Sequence, residues 1–206
     1  TYGDMDVSRL DEKPLGRLSI DTRIINIKRI PEVIDAVERA VKKNSKIYWI
    51  CPLIEESEIM DLAAAEERYE NLKNIFGNKV SLVHGKIKPE DRESIIEDFA
   101  APNNENPVQI LVSTTVIEVG IDFPNANLIL IENANKFGLA QLHQLRGRVG
   151  RGTKQGTCIL LFKDGLSKNA IKRIRILKDS DDGFFIAEED LKLRGFGDLI
   201  GFQQSG

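Results

Sequence analysis

Lys79-Val80-Ser81-Leu82-Val83, then Pro89-Glu90-Asp91-Arg92-Glu93-Ser94-Ile95-Ile96-Glu97-Asp98-Phe99, then Val108-Gln109-Ile110-Leu111-Val112-Ser113: the architecture can be read from this stretch, residues 79–113. Its two ends are short apolar runs rich in β-branched residues, which read as strands. Between them Pro89 is placed as the first-turn proline of a helix, and a polar loop at 101–107, with Pro102, Asn103, Asn104 and Asn106, leads into the next strand. A strand, a helix and a second strand form the crossover unit that parallel pairing requires. The same alternation extends outward in both directions. Further strands are expected at 22–28, 46–51, 127–131 and 156–162, and further helices at about 31–44, 56–76 and 139–150. Pro31 is another first-turn proline, and Val33, Val37 and Val41 repeat at helical spacing. The pattern predicts an α/β fold, a parallel sheet with helices on both faces.

Composition allows this. The chain has 206 residues, 41% apolar and 30% charged, enough to bury a proper core as one main domain with appendages. A formal net charge of -3 gives no global sign of nucleic-acid binding, so that function has to rest on a local patch. One is present between Asn133 and Lys163, where Lys136, Arg146, Arg148, Arg151, Lys154 and Lys163 occur without a single acid. Cys51 and Cys158 lie far apart in apolar runs, which indicates neither a zinc site nor a redox pair. No apolar run reaches the ~18 residues that cross a bilayer, so no membrane partner and a cytoplasmic setting are expected. Thr1 in place of Met suggests a fragment of something longer. Residues 1–21 have no sustained period and read as a tail or linker from a preceding domain. Toward the other end, a basic amphipathic helix is expected at 167–178 with Ile171, Ile174 and Leu177 inward, then an acid-rich helix at 187–193 and a run rich in Gly, Phe and Gln.

Chemistry concentrates in Gln141-Leu142-His143-Gln144-Leu145-Arg146-Gly147-Arg148-Val149-Gly150-Arg151. Arg148 and Arg151 are one turn apart, which would bring both guanidinium groups to one face of a short helix. Glycine costs roughly 1 kcal/mol in a helix interior, so Gly147 and Gly150 suit a place where a backbone or phosphate approaches closely. Arginine recognises phosphate oxygens bidentately, and an arginine brought to a transferring γ-phosphoryl group accelerates hydrolysis. Elsewhere, Ser113-Thr114-Thr115 ends a buried strand and is followed by Glu118, Gly120 and Asp122, in the position where open parallel sheets meet ligands.

These residues resemble the motifs of superfamily 2 helicases and translocases. Gln144-x-x-Gly147-Arg148-x-Gly150-Arg151 resembles motif VI, and the segment from Thr114 to Gly120-Ile121-Asp122 resembles motif V. The likeness implies that Arg148 and Arg151 act on a nucleotide held by another domain, with Gly120, Asp122 and Gln144 beside it. It also implies that Thr114 contacts a nucleic-acid phosphate, and that His84 and Gly85 lie on the nucleic-acid side. His84 alone also has a purely structural reading as a strand-end side chain. Tyr48-Trp49-Ile50-Cys51-Pro52-Leu53-Ile54-Glu55 occupies the motif IV position; alternation in a central strand makes Trp49 core and Tyr48 a shoulder of it, rather than base-stacking groups. The chain has no Gly-x-x-x-x-Gly-Lys-[Ser/Thr] phosphate loop. Asp11-Glu12 has no preceding buried strand to aim it at a metal, so it is set aside as a metal box.

The ends narrow the resemblance. Tyr2-Gly3-Asp4-Met5-Asp6-Val7-Ser8 resembles the stretch after motif III in RecG-type helicases and the transcription-repair coupling factor, and 183–206 resembles the TRG translocation motif that both share. His143 in motif VI is closer to the RecG type. The expected organisation is a linker at 1–21, a three-layer RecA-like helicase C-terminal domain at 22–165, and at 166–206 a helical hairpin and loop carrying the TRG motif. The expected function is the second motor domain of an ATP-dependent DNA helicase that remodels branched double-stranded DNA, such as stalled forks and Holliday junctions, in recombination and repair. ATP and Mg²⁺ would be bound jointly with an N-terminal motor domain of the same polypeptide, which also carries a wedge domain, and the protein would act as a monomer. Arg194 and Gln204, in the glycine-rich tail, are the expected coupling residues. The alternatives are the motor of a transcription-repair coupling factor and a non-catalytic interaction domain of the same fold.

Overall fold

The computed structural model describes residues 20–52, 58–114, 126–149 and 155–193. Six strands, β1 (Asp21–Asn26), β2 (Lys46–Ile50), β3 (Val80–Val83), β4 (Ile110–Ser113), β5 (Ala126–Ile131) and β6 (Thr157–Phe162), form one sheet. Its order is β1-β6-β5-β2-β4-β3, and every pair is parallel. Helices α1 (Ile30–Lys42), α2 (Glu58–Phe76), α3 (Pro89–Ala100), α4 (Leu139–Arg146) and α5 (Lys168–Asp179) are followed by a further helix, α6, at 183–193.

Strand side chains alternate between faces, and in this sheet both faces are buried. On one face Ile47, Trp49, Ile110, Val112, Leu128, Leu130, Ile159 and Leu161 pack with Val33, Val37 and Val41 of α1 and Ala65 and Leu72 of α2. On the other, Tyr48, Ile50, Leu111, Ile129, Ile131, Cys158 and Leu160 meet Phe99 of α3, Leu139, Leu142 and Leu145 of α4, Ile174 and Leu177 of α5, and Ile186 of α6. The expected three layers are therefore present. Trp49 and Tyr48 are both core, on opposite faces. Cys51 and Cys158 are free and buried. Among the described residues no helix is long and apolar enough to cross a membrane.

Local chemistry sets the boundaries. Pro31 and Pro89 open α1 and α3 in the first turn, where a missing N–H is harmless. Asn44, at φ 61°, ends α1. β1 stops at Asn26 rather than at Lys28, because the Asn26 side chain accepts the Lys28 N–H at 2.9 Å and starts a short 3₁₀ turn. α6 begins at 183, four residues earlier than the acid-rich pattern suggested, because Asp182 Oδ1 accepts the N–H groups of Phe184 and Phe185. In α5 the inward set is Ala170, Ile174 and Leu177, while Ile171 is 39% exposed. At about 100° per residue, positions 170, 174 and 177 share roughly 60° of arc, whereas 171, 174 and 177 spread over about 120°. α4 ends at Arg146 rather than near Gly150; the chain turns at Gly147, so Arg148 lies beyond the helix and the one-helix geometry expected for the arginine pair does not hold.

Candidate functional site

The carboxyl ends of β3 and β4 lie side by side, with Val83 opposite Ser113. The next residue on each strand is a predicted site residue, and the Thr114 N–H bonds to Val83 O at 3.3 Å. The structure thus brings Thr114, His84 and Gly85 together, although they are about thirty positions apart in the chain. Thr114 is only 3% exposed, His84 is half-buried and Gly85 exposed, so the surface of this edge belongs to the latter two. His84 Nδ1 accepts the N–H of Lys86 at 3.2 Å. A neutral imidazole that accepts at Nδ1 carries its proton at Nε2, leaving a donor at the edge. An added Cβ on Gly85 would meet nothing within 4 Å.

The motif VI stretch lies on the other flank of the sheet. Its helix α4 packs through Leu139, Leu142 and Leu145, and its last residue, Arg146, reaches Thr22 near the start of β1. Gln144 is exposed. Arg148 is in the turn after α4, 9% exposed, with its N–H bonded to Leu145 O at 3.1 Å. An added Cβ on Gly147 would make only ordinary contacts, with backbone oxygens at 3.5 Å and 3.6 Å. Packing among the described residues does not demand glycine at 147 or at 85. Gly120, Asp122, Arg151, Arg194 and Gln204 lie outside the described residues.

Two features escaped the sequence reading. Arg146, counted there in a basic surface patch, is 2% exposed and is not part of any surface. A guanidinium can be buried when carbonyl oxygens take its donors, and Leu177 O and Ser180 O do so here. The second is a cluster at the ends of β2 and β5. The Glu132 carboxylate accepts from Trp49 Nε1 at 2.6 Å, from Cys51 Sγ at 3.2 Å, and from Arg68 through Nε and Nη2 at 2.9 Å and 3.0 Å. The Arg68 guanidinium also lies 5.3 Å from the centroid of the Trp49 ring. Burial alone would raise the Glu132 carboxyl, but the hydrogen bonds and charge of Arg68, with the Trp49 and Cys51 donors, hold it below its ordinary value. Burial, and then Glu132, push the Cys51 thiol well up. The cluster pins α2 to the carboxyl ends of the two central strands, β2 and β5. Its only sequence signal is an acid directly after an apolar strand, Ile131-Glu132, which on its own reads as a strand exit.

A groove of about 810 Å³ between α1 and strands β1, β6 and β5, lined by Arg23, Arg29, Arg39 and Lys43 among others, contains none of the predicted site residues. Among the described residues no group of three or more His, Cys, Asp or Glu could hold a metal ion.

Comparison with known proteins agrees with this architecture. Residues 27–153 match the helicase conserved C-terminal domain, and residues 180–206 match the C-terminal part of domain 3 of the ATP-dependent DNA helicase RecG. Over its full length the chain is 47% identical to the ATP-dependent DNA helicase RecG of Escherichia coli K12, of which it covers 29%, and 49% identical to that of Aquifex aeolicus, of which it covers 26%. The chain thus spans less than a third of these relatives. Among solved structures it is similar to RecG bound to a three-way DNA junction, with a TM-score of 0.74 and 41% identity over 90% of this chain and 24% of that one. Domain 2 of the DEAD-box helicase Mss116p bound to an RNA duplex shares the fold, with a TM-score of 0.58 at 24% identity over 78% of this chain and 60% of that one.

Proposed function

The chain belongs to the helicase conserved C-terminal domain family, and from that premise we propose that it is the second motor domain of a RecG-type ATP-dependent DNA helicase that remodels branched DNA in recombination and repair. The observation that carries the reading is the pairing of two separate surfaces on one sheet. The β3–β4 edge offers His84 and Gly85, with Thr114 behind them, while the opposite flank offers the turn after α4 with Arg148.

The first surface suits phosphate. The His84 Nε2–H is a donor, Gly85 leaves room for a sugar-phosphate backbone, and exposed Lys86 and Lys88 add charge next to it. The second suits a nucleotide held by another domain. Arg148 is set in the wall of this domain rather than extended from it, so closure of the partner motor domain would carry the γ-phosphate of ATP to it. Arg148 and Arg151 would then stabilise charge that develops on the transferring group. Gly120, Asp122 and Gln144 would line the ribose side. Mg²⁺ would arrive with the nucleotide and neutralise phosphate charge, held by residues outside this chain. Arg194 and Gln204 would pass cleft motion to DNA.

The test uses the full-length protein that contains this chain. ATP hydrolysis should be stimulated by branched DNA more than by linear duplex. Arg148→Ala should lower ATP turnover by about 10²-fold or more, with nucleotide binding little changed. His84→Ala should raise the DNA concentration needed for stimulation. The isolated 206-residue chain should show no saturable micromolar ATP binding in calorimetry. A parent protein without DNA-dependent ATP hydrolysis would refute the reading.

A further inference from the structure

The sheet face that carries Trp49 is roofed unevenly. There α1 packs on β2 and β5, and α2 on β3 and β4, whereas on the opposite face α5 covers the edge strand β1. What remains over β1 and β6 is the groove of about 810 Å³ beside α1. One flank of the helix forms its wall: Arg29 just before α1, then Glu32, Ala36 and Arg39, then Lys43 just after it, each three or four positions from the next. At 1.5 Å per residue this wall is about 20 Å long. The floor comes from alternate strand residues, Ile25 of β1 and Thr157 and Ile159 of β6. A pair of strands is about 10 Å wide, and so is a helix with its side chains. The groove therefore has the dimensions of one helix lying alongside α1.

Its chemistry is apolar below and charged above. Ile25, Ala36 and Ala40 are half-buried, and the two alanines, one turn apart, let another backbone come close to α1. Arg23, Arg29, Arg39 and Lys43 are exposed on the rim, against Glu32 and Asp35. Arg23 is bonded to Asp21 and Arg29 to Glu32, while Arg39 and Lys43 form no side-chain ion pair among the described residues. A phosphodiester backbone matches this poorly, because it has no apolar groups to cover Ile25 and the two alanines, and Glu32 and Asp35 repel it. A helix with one apolar face and acidic flanks matches both the floor and the rim.

We propose that this groove is the docking site for an acidic amphipathic helix of another protein, with its apolar face on Ile25, Ala36 and Ala40 and its carboxylates at Arg39 and Lys43. The groove contains none of the residues assigned above to DNA or nucleotide, so the inference stands apart from the motor reading.

The test uses the full-length protein and two fluorescein-labelled peptides of about 16 residues, long enough as helices to span the wall. Both have leucine at every third or fourth position; the polar positions are glutamate in one and glutamine in the other. Fluorescence anisotropy should show saturable micromolar binding of the glutamate peptide, and binding of the glutamine peptide about tenfold weaker or less. Arg39→Glu/Lys43→Glu changes only exposed side chains and should weaken the glutamate peptide by about tenfold or more. Ala36→Trp fills the groove without altering its charge and should abolish binding. If Ala36→Trp does not fold, the charge-reversed variant decides. No saturable binding to the parent overturns the inference, as when another domain of the same polypeptide already fills the groove. Equal affinity for the two peptides, or unchanged affinity in the variants, overturns it as well. So does charge reversal that weakens a labelled DNA duplex or single strand instead of the peptide, or that dissolves a dimer of the parent seen in sedimentation, since the occupant would then be nucleic acid or a second copy.

Discussion

Arg68→Ala isolates the charged cluster around Glu132. The side chains of Arg68 and Glu132 are 19% and 14% exposed, so solvent screens their interaction little. Removing the guanidinium deletes two hydrogen bonds and the cation–π contact with Trp49, and leaves a carboxylate in the protein with Trp49 Nε1 and Cys51 Sγ as its remaining donors. Breaking a buried pair from one side costs about 3–5 kcal/mol; because two donors survive, the lower end, about 3 kcal/mol, is expected. In a chain of this size that is a loss of roughly 6–12 °C in melting temperature. Trp49 is the sole tryptophan and sits in the cluster, so its fluorescence reports unfolding in urea, with far-UV circular dichroism as an independent probe. The double variant Arg68→Met/Glu132→Leu removes both charges and should recover about 1–2 kcal/mol of the loss, leaving a cost of about 1–2 kcal/mol for the orphaned Trp49 donor. The pH dependence has a defined sign. Glu132 is depressed in the folded state, so its contribution is present above the unfolded carboxylate value of about 4.3 and is lost as pH falls through the folded value. In Arg68→Ala the carboxyl relieves its burial by protonating, and the gap between parent and variant should narrow as pH drops from 7 toward about 4. A single variant within about 0.5 kcal/mol of the parent, or a double variant no more stable than the single, would show that the Arg68–Glu132 pair does not stabilise the fold in this way.

Phe99→Ala, which empties a fully buried position and removes the ring 5.6 Å from Lys46 Nζ, should cost about 3–5 kcal/mol in urea unfolding. Lys46, 2% exposed and bonded through Nζ to Val108 O at 2.6 Å, is lowered by burial. The unfolded chain therefore binds more protons, and relative to Lys46→Met the parent should gain stability as pH rises toward the unfolded lysine value of about 10.4; a difference that is flat between pH 7 and that value would contradict the assignment. Cys158, pushed up to about 12 by burial, and Cys51, also raised, should resist an aromatic disulfide reagent at pH 8 until the domain unfolds, and labelling of either thiol faster than unfolding would show that the interior opens locally.

Much of the architecture was legible because it depends on periodicity and on backbone chemistry, both local. The valines of α1 at 33, 37 and 41 and the apolar runs at 46–50 and 110–113 specify which faces are buried, whatever surrounds them. The two prolines mark helix starts because a missing N–H is tolerated only there. Boundaries that depend on a side chain accepting a backbone N–H, at Asn26 and Asp182, were misplaced by two to four residues, since such a cap forms only once the turn exists. The candidate site was legible in part. Thr114 and His84 could be named from strand ends, but their adjacency is a matter of sheet order, which places β4 beside β3.

Spacing along one strand or one helix was therefore enough for the layer pattern, for most of the strands and helices that build it and for the motif-bearing segments. The role of the charged residues came only from contacts between distant segments. Arg146 and Arg148 both counted toward one basic patch, yet the first is sealed against the carbonyls of Leu177 and Ser180, thirty-one and thirty-four positions away, and the second belongs to the turn beyond the helix. Glu132 and Arg68, sixty-four positions apart, read as surface charges until β5 and α2 are brought together. A charge is solvated or buried according to what lies across from it, and that is fixed by contacts between distant segments rather than by its neighbours in the chain.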